Sequence, residues 1–215
     1  MTPKVKVCCI VSEEESRMAI EAGASALGLV ARMPSGPGPI PDERILQIAR
    51  TIPPPIASFM LTCETTAEAV IEHHLRTRTN TIQMVDAHHE GNYDRIREAL
   101  PVVKLVQVIH VTGPESVDEA LQVAPHVDAL LLDSGNPMAA VKQLGGTGRT
   151  HNWLLSRAIV EKSGVPVFLA GGLHAGNVRR ALDEVGPFGI DLCTGVRTEG
   201  RLDPYKLEAL FKAIR

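Results

Sequence analysis

Along this chain, short runs rich in Val, Ile, Leu and Ala alternate with longer stretches in which apolar residues recur three or four positions apart. The first pattern suits buried parallel strands, and the second suits helices that lay one face on them. Eight strands are predicted, at about Lys4–Ile10, Ala26–Ala31, Ile56–Leu61, Thr81–Val85, Val103–Val111, Ala129–Leu132, Val167–Leu169 and Gly189–Leu192. Helices are predicted near 13–23, 42–51, 64–76, 91–99, 115–124, 153–163, 176–184 and 204–213. Strict alternation of strand and helix predicts a parallel sheet, and eight units predict its closure into a (β/α)8 TIM barrel, one domain over residues 1–215.

Some helix ends carry their own signals. Ser12 precedes Glu13, Glu14 and Glu15, which suit a helix N-terminus, and Asp203-Pro204 puts proline at a first helical position. Trp153 opens an amphipathic helix and should pack it on the barrel. His73 and His74 are neighbours within a helix and do not share a face, so they are expected at the surface.

Barrel active sites are built where strands end, and several chemistry-bearing residues fall there. Alternation in Lys6-Val7-Cys8-Cys9-Ile10 sends Lys6 and Cys8 to one face and Val7 and Cys9 to the other. One cysteine should therefore face the barrel mouth, where nearby positive charge would make its thiol a base or nucleophile. Leu130-Leu131-Leu132 ends in Asp133-Ser134, so a carboxylate leaves a buried apolar strand; burial would raise its pKa and suit it to act as an acid. The other reading of Asp133 is a cap on the next loop.

The two last strands end in glycines, at Ala170-Gly171-Gly172-Leu173 and at Cys193-Thr194-Gly195. Glycine lets backbone N–H groups approach an anion, and loops after strands 7 and 8 of a barrel commonly bind phosphate. His88, His89, His110, His151 and His174 all follow strands, so a zinc or manganese site with Asp133 is an alternative, although no compact ligand motif supports it.

Composition narrows the partners. A formal charge of -3 and 44 % hydrophobic content give no reason to expect nucleic acid or an acidic membrane. The cysteines, Cys8, Cys9, Cys63 and Cys193, have no zinc-type spacing, and no apolar run approaches the roughly 18 residues of a membrane span. The expectation is a reduced, cytoplasmic protein, monomer or homodimer, with room for a pocket that takes a phosphorylated small molecule.

These segments also carry a resemblance. Lys6-Val7-Cys8-Cys9-Ile10 resembles the Lys-Ile-Cys-Gly-Ile start of phosphoribosylanthranilate isomerases, the barrel enzymes of tryptophan biosynthesis. Asp133-Ser134 and then Gly145-Gly146-Thr147-Gly148-Arg149-Thr150-His151-Asn152-Trp153 resemble that family's Asp-Ser and Gly-Gly-Thr-Gly-Lys-Thr-Phe-Asp-Trp. Ala170-Gly171-Gly172-Leu173 with Asn177-Val178, and Ile190-Asp191 through Thr194-Gly195-Val196, resemble its two phosphate loops. The resemblance spans the chain. It implies that the ligand is a small phosphorylated sugar, and that it undergoes a cofactor-free, metal-free Amadori rearrangement in which Asp133 protonates the furanose oxygen and Cys8 removes the C2 proton. It also implies phosphate binding by Gly146, Gly171, Gly172, Leu173, Cys193, Thr194 and Gly195.

The departures point to the other half of the substrate. Where the family has a Ser-x-Arg turn whose arginine is expected to hold the anthranilate carboxylate, this chain reads Pro34-Ser35-Gly36-Pro37-Gly38-Pro39. Arg32, a few residues earlier, is the nearest substitute, and Gln83 is retained as a substrate contact where the family's following histidine is lost. Cys9 replaces a glycine, and Arg197 stands where a glutamate is common, expected either on phosphate or solvated at the surface. The alternatives are a paralog acting on another phosphorylated sugar amine and a non-catalytic barrel that binds a phosphorylated ligand.

Overall fold

The computed structural model describes residues 2–135, 144, 146, 148 and 150–215. Eight parallel strands, β1 (Lys4–Val7), β2 (Ala26–Val30), β3 (Ala57–Thr62), β4 (Thr81–Met84), β5 (Lys104–His110), β6 (Ala129–Asp133), β7 (Val167–Leu169) and β8 (Gly189–Leu192), follow one another around a closed barrel. The helices that join them are α1 (Glu13–Ala22), α2 (Asp42–Thr51), α3 (Ala67–Thr77), α4 (Glu90–Ala99), α5 (Glu115–Val123), α6 (Trp153–Lys162) and α7 (Val178–Val185), with α8 (Pro204–Ile214) after β8. A two-stranded antiparallel hairpin, β9 (Arg197–Thr198) and β10 (Arg201–Leu202), precedes α8. No helix among the described residues is long and apolar enough to cross a membrane.

Strand alternation makes two apolar layers. Val5 and Val7 on β1, Leu130 and Leu132 on β6, and Ile190 and Leu192 on β8 point outward and pack with the helices. Cys8, Phe59, Val106, Val108, Leu131 and Phe168 form the inner layer. The same alternation turns Lys6, Asp133 and Asp191 inward, and the register sets Lys6 of β1 beside Asp191 of β8. Three ionisable side chains thus share the barrel interior, and their chemistry follows from that placement.

The predicted helix signals at Ser12 and Asp203 act as caps, accepting from the N–H of Glu15 and from those of Tyr205 and Lys206. Trp153 is buried in the outer core as expected. Three expectations are corrected. β1 stops at Val7 rather than Ile10, because Cys9 takes a left-handed backbone with φ 64 and turns the chain away from the sheet. α7 starts at Val178 rather than 176, so the paired glycines after β7 lead into a loop and not directly into a helix.

The third correction is that His73 and His74 are both buried. The buried arc of a helix is wide enough to take two adjacent positions, and α3 is covered on both flanks. His73 bonds Thr62 Oγ1 at 2.9 Å and Asp42 Oδ1 at 3.0 Å, and His74 Nε2 meets the Thr79 carbonyl at 2.7 Å.

Arg197 is neither solvated nor aimed at an anion site. Its guanidinium is buried against Glu15, 2.9 Å from Oε1, and donates to the carbonyls of Cys8 and Cys9 at 3.2 and 2.6 Å. Burial alone would raise the Glu15 carboxyl, but bonds from Arg197 and the Leu202 amide hold it below its ordinary 4.5. Stability from ionised Glu15 is therefore complete above the unfolded value and is lost as pH falls through the lower folded one. Glu15→Gln is expected to cost about 1.5–3 kcal/mol at neutral pH, with the gap closing in acid. Urea unfolding of both proteins across pH checks this.

Candidate active site

The C-terminal ends of the strands surround a cavity that opens to solvent. Cys8 lies just beyond the end of β1 and Asp133 is the last residue of β6; both line it, and both are buried. Below them Lys6 Nζ sits 2.8 Å from Asp191 Oδ2 and 5.2 Å from the centre of the Phe59 ring, with no exposure to solvent. Burial would strip the Lys6 proton, but the Asp191 carboxylate beside it and the nearby thiols hold it well above the ordinary value. A fixed positive charge therefore stands beneath the thiol.

The Cys8 thiol and the Asp133 carboxyl are shifted in opposite directions. A hydrogen bond from the Cys9 thiol lowers the Cys8 pKa against the effect of burial, and the Lys6 charge adds to the lowering. Burial raises Asp133, opposed by the Ser134 amide and by the charges of His110 and Lys6. The Ser134 N–H and hydroxyl donate to Asp133 Oδ1 at 2.7 and 3.4 Å, so the carboxyl is oriented locally as well as buried. A thiol favoured as thiolate and a carboxyl favoured as acid are the partners that a proton-transfer reaction needs.

At one end of the cavity the backbone makes a cradle. Gly171 and Gly172 have φ 82 and 62, a conformation that places the chain where a side chain would be strained, and Leu173 follows them into the wall. Asn177 pins this loop by donating to the Gly172 carbonyl at 2.9 Å and accepting from the His174 N–H at 2.9 Å. Opposite lies the short 3₁₀ turn Thr194–Val196, with Cys193 and Thr194 lining the cavity. Gly146 and Gly148 complete the rim, whereas residues 145, 147 and 149 of the predicted Gly-Gly-Thr-Gly-Arg stretch lie outside the described residues.

Gly195 is not in this wall, but with Gly148, Gly172 and Thr194 it lines the adjoining pocket. Its Cα lies against the Leu173 carbonyl, and a β-carbon there would collide with that oxygen. The two loops can be neighbours only because the residue is glycine. Gly195→Ala is expected to push them apart and weaken binding of inorganic phosphate at least tenfold, about 1.4 kcal/mol, as measured by calorimetric titration.

The other end of the cavity is apolar, lined by Val30, Met33, Leu61, Val85 and Leu144. Gln83 also lines it; the side chain is 3 % exposed, and its carbonyl oxygen has no hydrogen-bond partner. A buried unsatisfied acceptor is costly, so this atom is poised for a donor from a ligand. Arg32 is exposed and outside the cavity wall, and no arginine or lysine lines the wall among the described residues. The expected substitution of Arg32 for the missing guanidinium has no support in this geometry.

The rim histidines do not converge. His110 Nε2 donates to the Val85 carbonyl at 2.9 Å, and His174 Nδ1 accepts from the Gly176 N–H. His151 meets Ser156 Oγ at 2.7 Å, and burial lowers its pKa to about 4. Among the described residues no group of three or more His, Cys, Asp or Glu is placed to hold a metal ion.

Sequence reasoning gave Lys6 a face but no role, and missed Asp191 as its partner and Arg197 as the clamp on the Cys8-Cys9 turn. A signal existed for the first pair. A lysine flanked by Val5 and Val7 in a buried strand demands a counter-charge, and Asp191 stands in the middle of the only other strand that β1 meets besides β2.

Comparison with known proteins places this geometry. Residues 5–213 match the family model described as N-(5'phosphoribosyl)anthranilate (PRA) isomerase. The N-(5'-phosphoribosyl)anthranilate isomerase of Halobacterium salinarum is 34 % identical over 196 residues, covering 90 % of this chain and 86 % of its own. The phosphoribosyl anthranilate isomerase structure from Thermococcus kodakaraensis superposes with a TM-score of 0.83 at 25 % identity, covering 99 % of both chains. A further isomerase structure of this kind shares the fold, with a TM-score of 0.78 at 23 % identity over 99 % of this chain and 98 % of its own. That protein is in complex with reduced 1-(o-carboxyphenylamino)-1-deoxyribulose 5-phosphate.

Proposed function

The chain belongs to the N-(5'-phosphoribosyl)anthranilate isomerase family, and from that premise we propose how its own residues carry out the family's rearrangement of a phosphoribosylamine. The reaction converts an aminoaldose to an aminoketose in tryptophan biosynthesis. It is an isomerisation, so its atoms and electrons balance without a cofactor.

The substrate phosphate binds between the Gly171-Gly172-Leu173 and Cys193-Thr194 loops, which line the cavity with glycine backbone. Asp133, whose hold on its proton burial strengthens, gives that proton to the furanose ring oxygen as the C1–O bond breaks, and the nitrogen lone pair forms an iminium at C1. The Cys8 thiolate then removes the C2 proton, and that electron pair neutralises the iminium as an enolamine. Tautomerisation to the ketone puts a proton on C1. Lys6 does not touch substrate in this account; it stabilises the thiolate from below and is itself held by Asp191.

The observation that carries the reading is the pairing of a lowered thiol with a raised carboxyl on one cavity that ends in a glycine cradle. Gln83 and the apolar wall receive the aromatic amine. A wall without a guanidinium among the described residues favours, as a second reading, a phosphoribosylamine whose aglycone bears no carboxylate. Growth separates the two. A bacterial strain lacking its own isomerase is expected to grow without tryptophan when it expresses this chain, and not when it expresses the Cys8→Ser form. Failure to grow despite folded wild-type protein would overturn the anthranilate assignment.

A further inference from the structure

Beside the catalytic cysteine two more thiols meet. Cys9 Sγ lies 2.9 Å from Cys193 Sγ, although 184 residues separate them in the chain. Cys9 is buried and held by its backbone: its φ is 64, Arg197 grips its carbonyl at 2.6 Å, and its thiol also reaches the Pro37 carbonyl at 3.4 Å. Cys193 is only half-buried and lines the cavity, so a small molecule that enters the mouth meets it. A left-handed backbone is disfavoured for cysteine, and its presence here keeps that thiol aimed at the anion loop.

We propose that Cys9 and Cys193 form a reversible disulfide when a peroxide enters the cavity, and that this disulfide switches the enzyme off. Cys193 gives up its thiol proton and attacks one peroxide oxygen, the O–O bond breaks, and the leaving hydroxide takes that proton, so that a sulfenic acid and one water form. Cys9 sulfur then attacks the sulfenic sulfur, and the displaced oxygen leaves with the Cys9 proton as a second water. The two thiols supply the two electrons that reduce the peroxide. The sulfurs need to close by only about 0.9 Å to reach the ordinary bond length of roughly 2.05 Å. In a reducing compartment such a bond is transient and suits sensing.

A consequence for catalysis follows from the tether: Cys193 immediately precedes Thr194 of the 3₁₀ turn, and the new bond would fix that turn to the Cys8-Cys9 turn. The loss of turnover rests on the isomerase reading; the cross-link itself does not.

The test treats the reduced protein with hydrogen peroxide, maps cysteine peptides without reduction, and follows turnover before and after dithiothreitol. The expected result is a Cys9–Cys193 cross-linked peptide, turnover lowered at least about tenfold, and recovery of both on reduction. In Cys9→Gly, where glycine suits the positive φ, no such peptide should form, and continued peroxide should carry Cys193 past the sulfenic acid to a sulfinic acid that dithiothreitol does not restore. A wild type that forms no cross-link, links Cys8 instead, or keeps its turnover while linked would overturn the proposal. If the isomerase reading fails, the mapped peptide and its reversal still decide whether the thiol pair is the site of oxidation.

Discussion

Cys8→Ser is expected to lower kcat by roughly 10²–10⁴-fold while leaving KM almost unchanged. The substitution keeps the size of the side chain and the wall of the cavity, but a hydroxyl holds its proton far more tightly than a thiol. The environment that favours the thiolate, a Cys9 donor and the Lys6 ammonium, is too weak to ionise serine. An interaction used only at the proton transfer should vanish from kcat and not from binding. In the wild type the rate should rise with pH as Cys8 loses its proton, below the ordinary thiol value of 9.0, and in the serine form this limb should be missing. Steady-state kinetics across pH check both parts.

The second large effect is that of Asp133→Asn, again roughly 10²–10⁴-fold in kcat, because an amide has no proton to give to the ring oxygen. Here the pH dependence has the opposite sign. The acid works protonated, so wild-type activity should fall as pH rises through the Asp133 value, which burial raises above 3.8; the asparagine form should lack that fall. Stability should move the other way from activity. A buried carboxyl with a raised pKa opposes folding once the pH exceeds its unfolded value, since its charge must then be buried or neutralised by taking up a proton. Asparagine removes that cost, so thermal unfolding at neutral pH should show a Tm no lower than that of the wild type. Loss of activity together with a lowered Tm would assign Asp133 a structural role.

The barrel was legible because its information is periodic. The inward facing of Asp133 follows from Leu130 and Leu132 alternating with it along β6, and needs no knowledge of the other strands. The glycine loops were legible for a similar reason, since Gly171 and Gly172 end an apolar run. What local pattern does not encode is who stands opposite. Arg197 looks like a surface or anion-binding residue until Glu15 of α1 is folded against it. His73 and His74 look exposed until Thr62, Asp42 and Thr79 are seen to satisfy them. Cys9 reads as the continuation of a strand, and only the positive φ shows that the strand has already ended.

The aglycone end was the least legible. The Pro-rich stretch 34–39 removes an expected side chain but does not say what replaces it, and Arg32, its nearest basic neighbour in sequence, is exposed and does not line the cavity. At that end Gln83 presents a buried acceptor without a partner, which sequence pattern alone does not reveal.

The central claim is that this barrel isomerises phosphoribosylanthranilate through Cys8 and Asp133. The most direct measurement is the loss of anthranilate fluorescence when freshly generated phosphoribosylanthranilate meets the purified, reduced wild-type chain. The account predicts turnover under these conditions without added metal or cofactor. Unchanged fluorescence with a folded protein that still binds inorganic phosphate would contradict it.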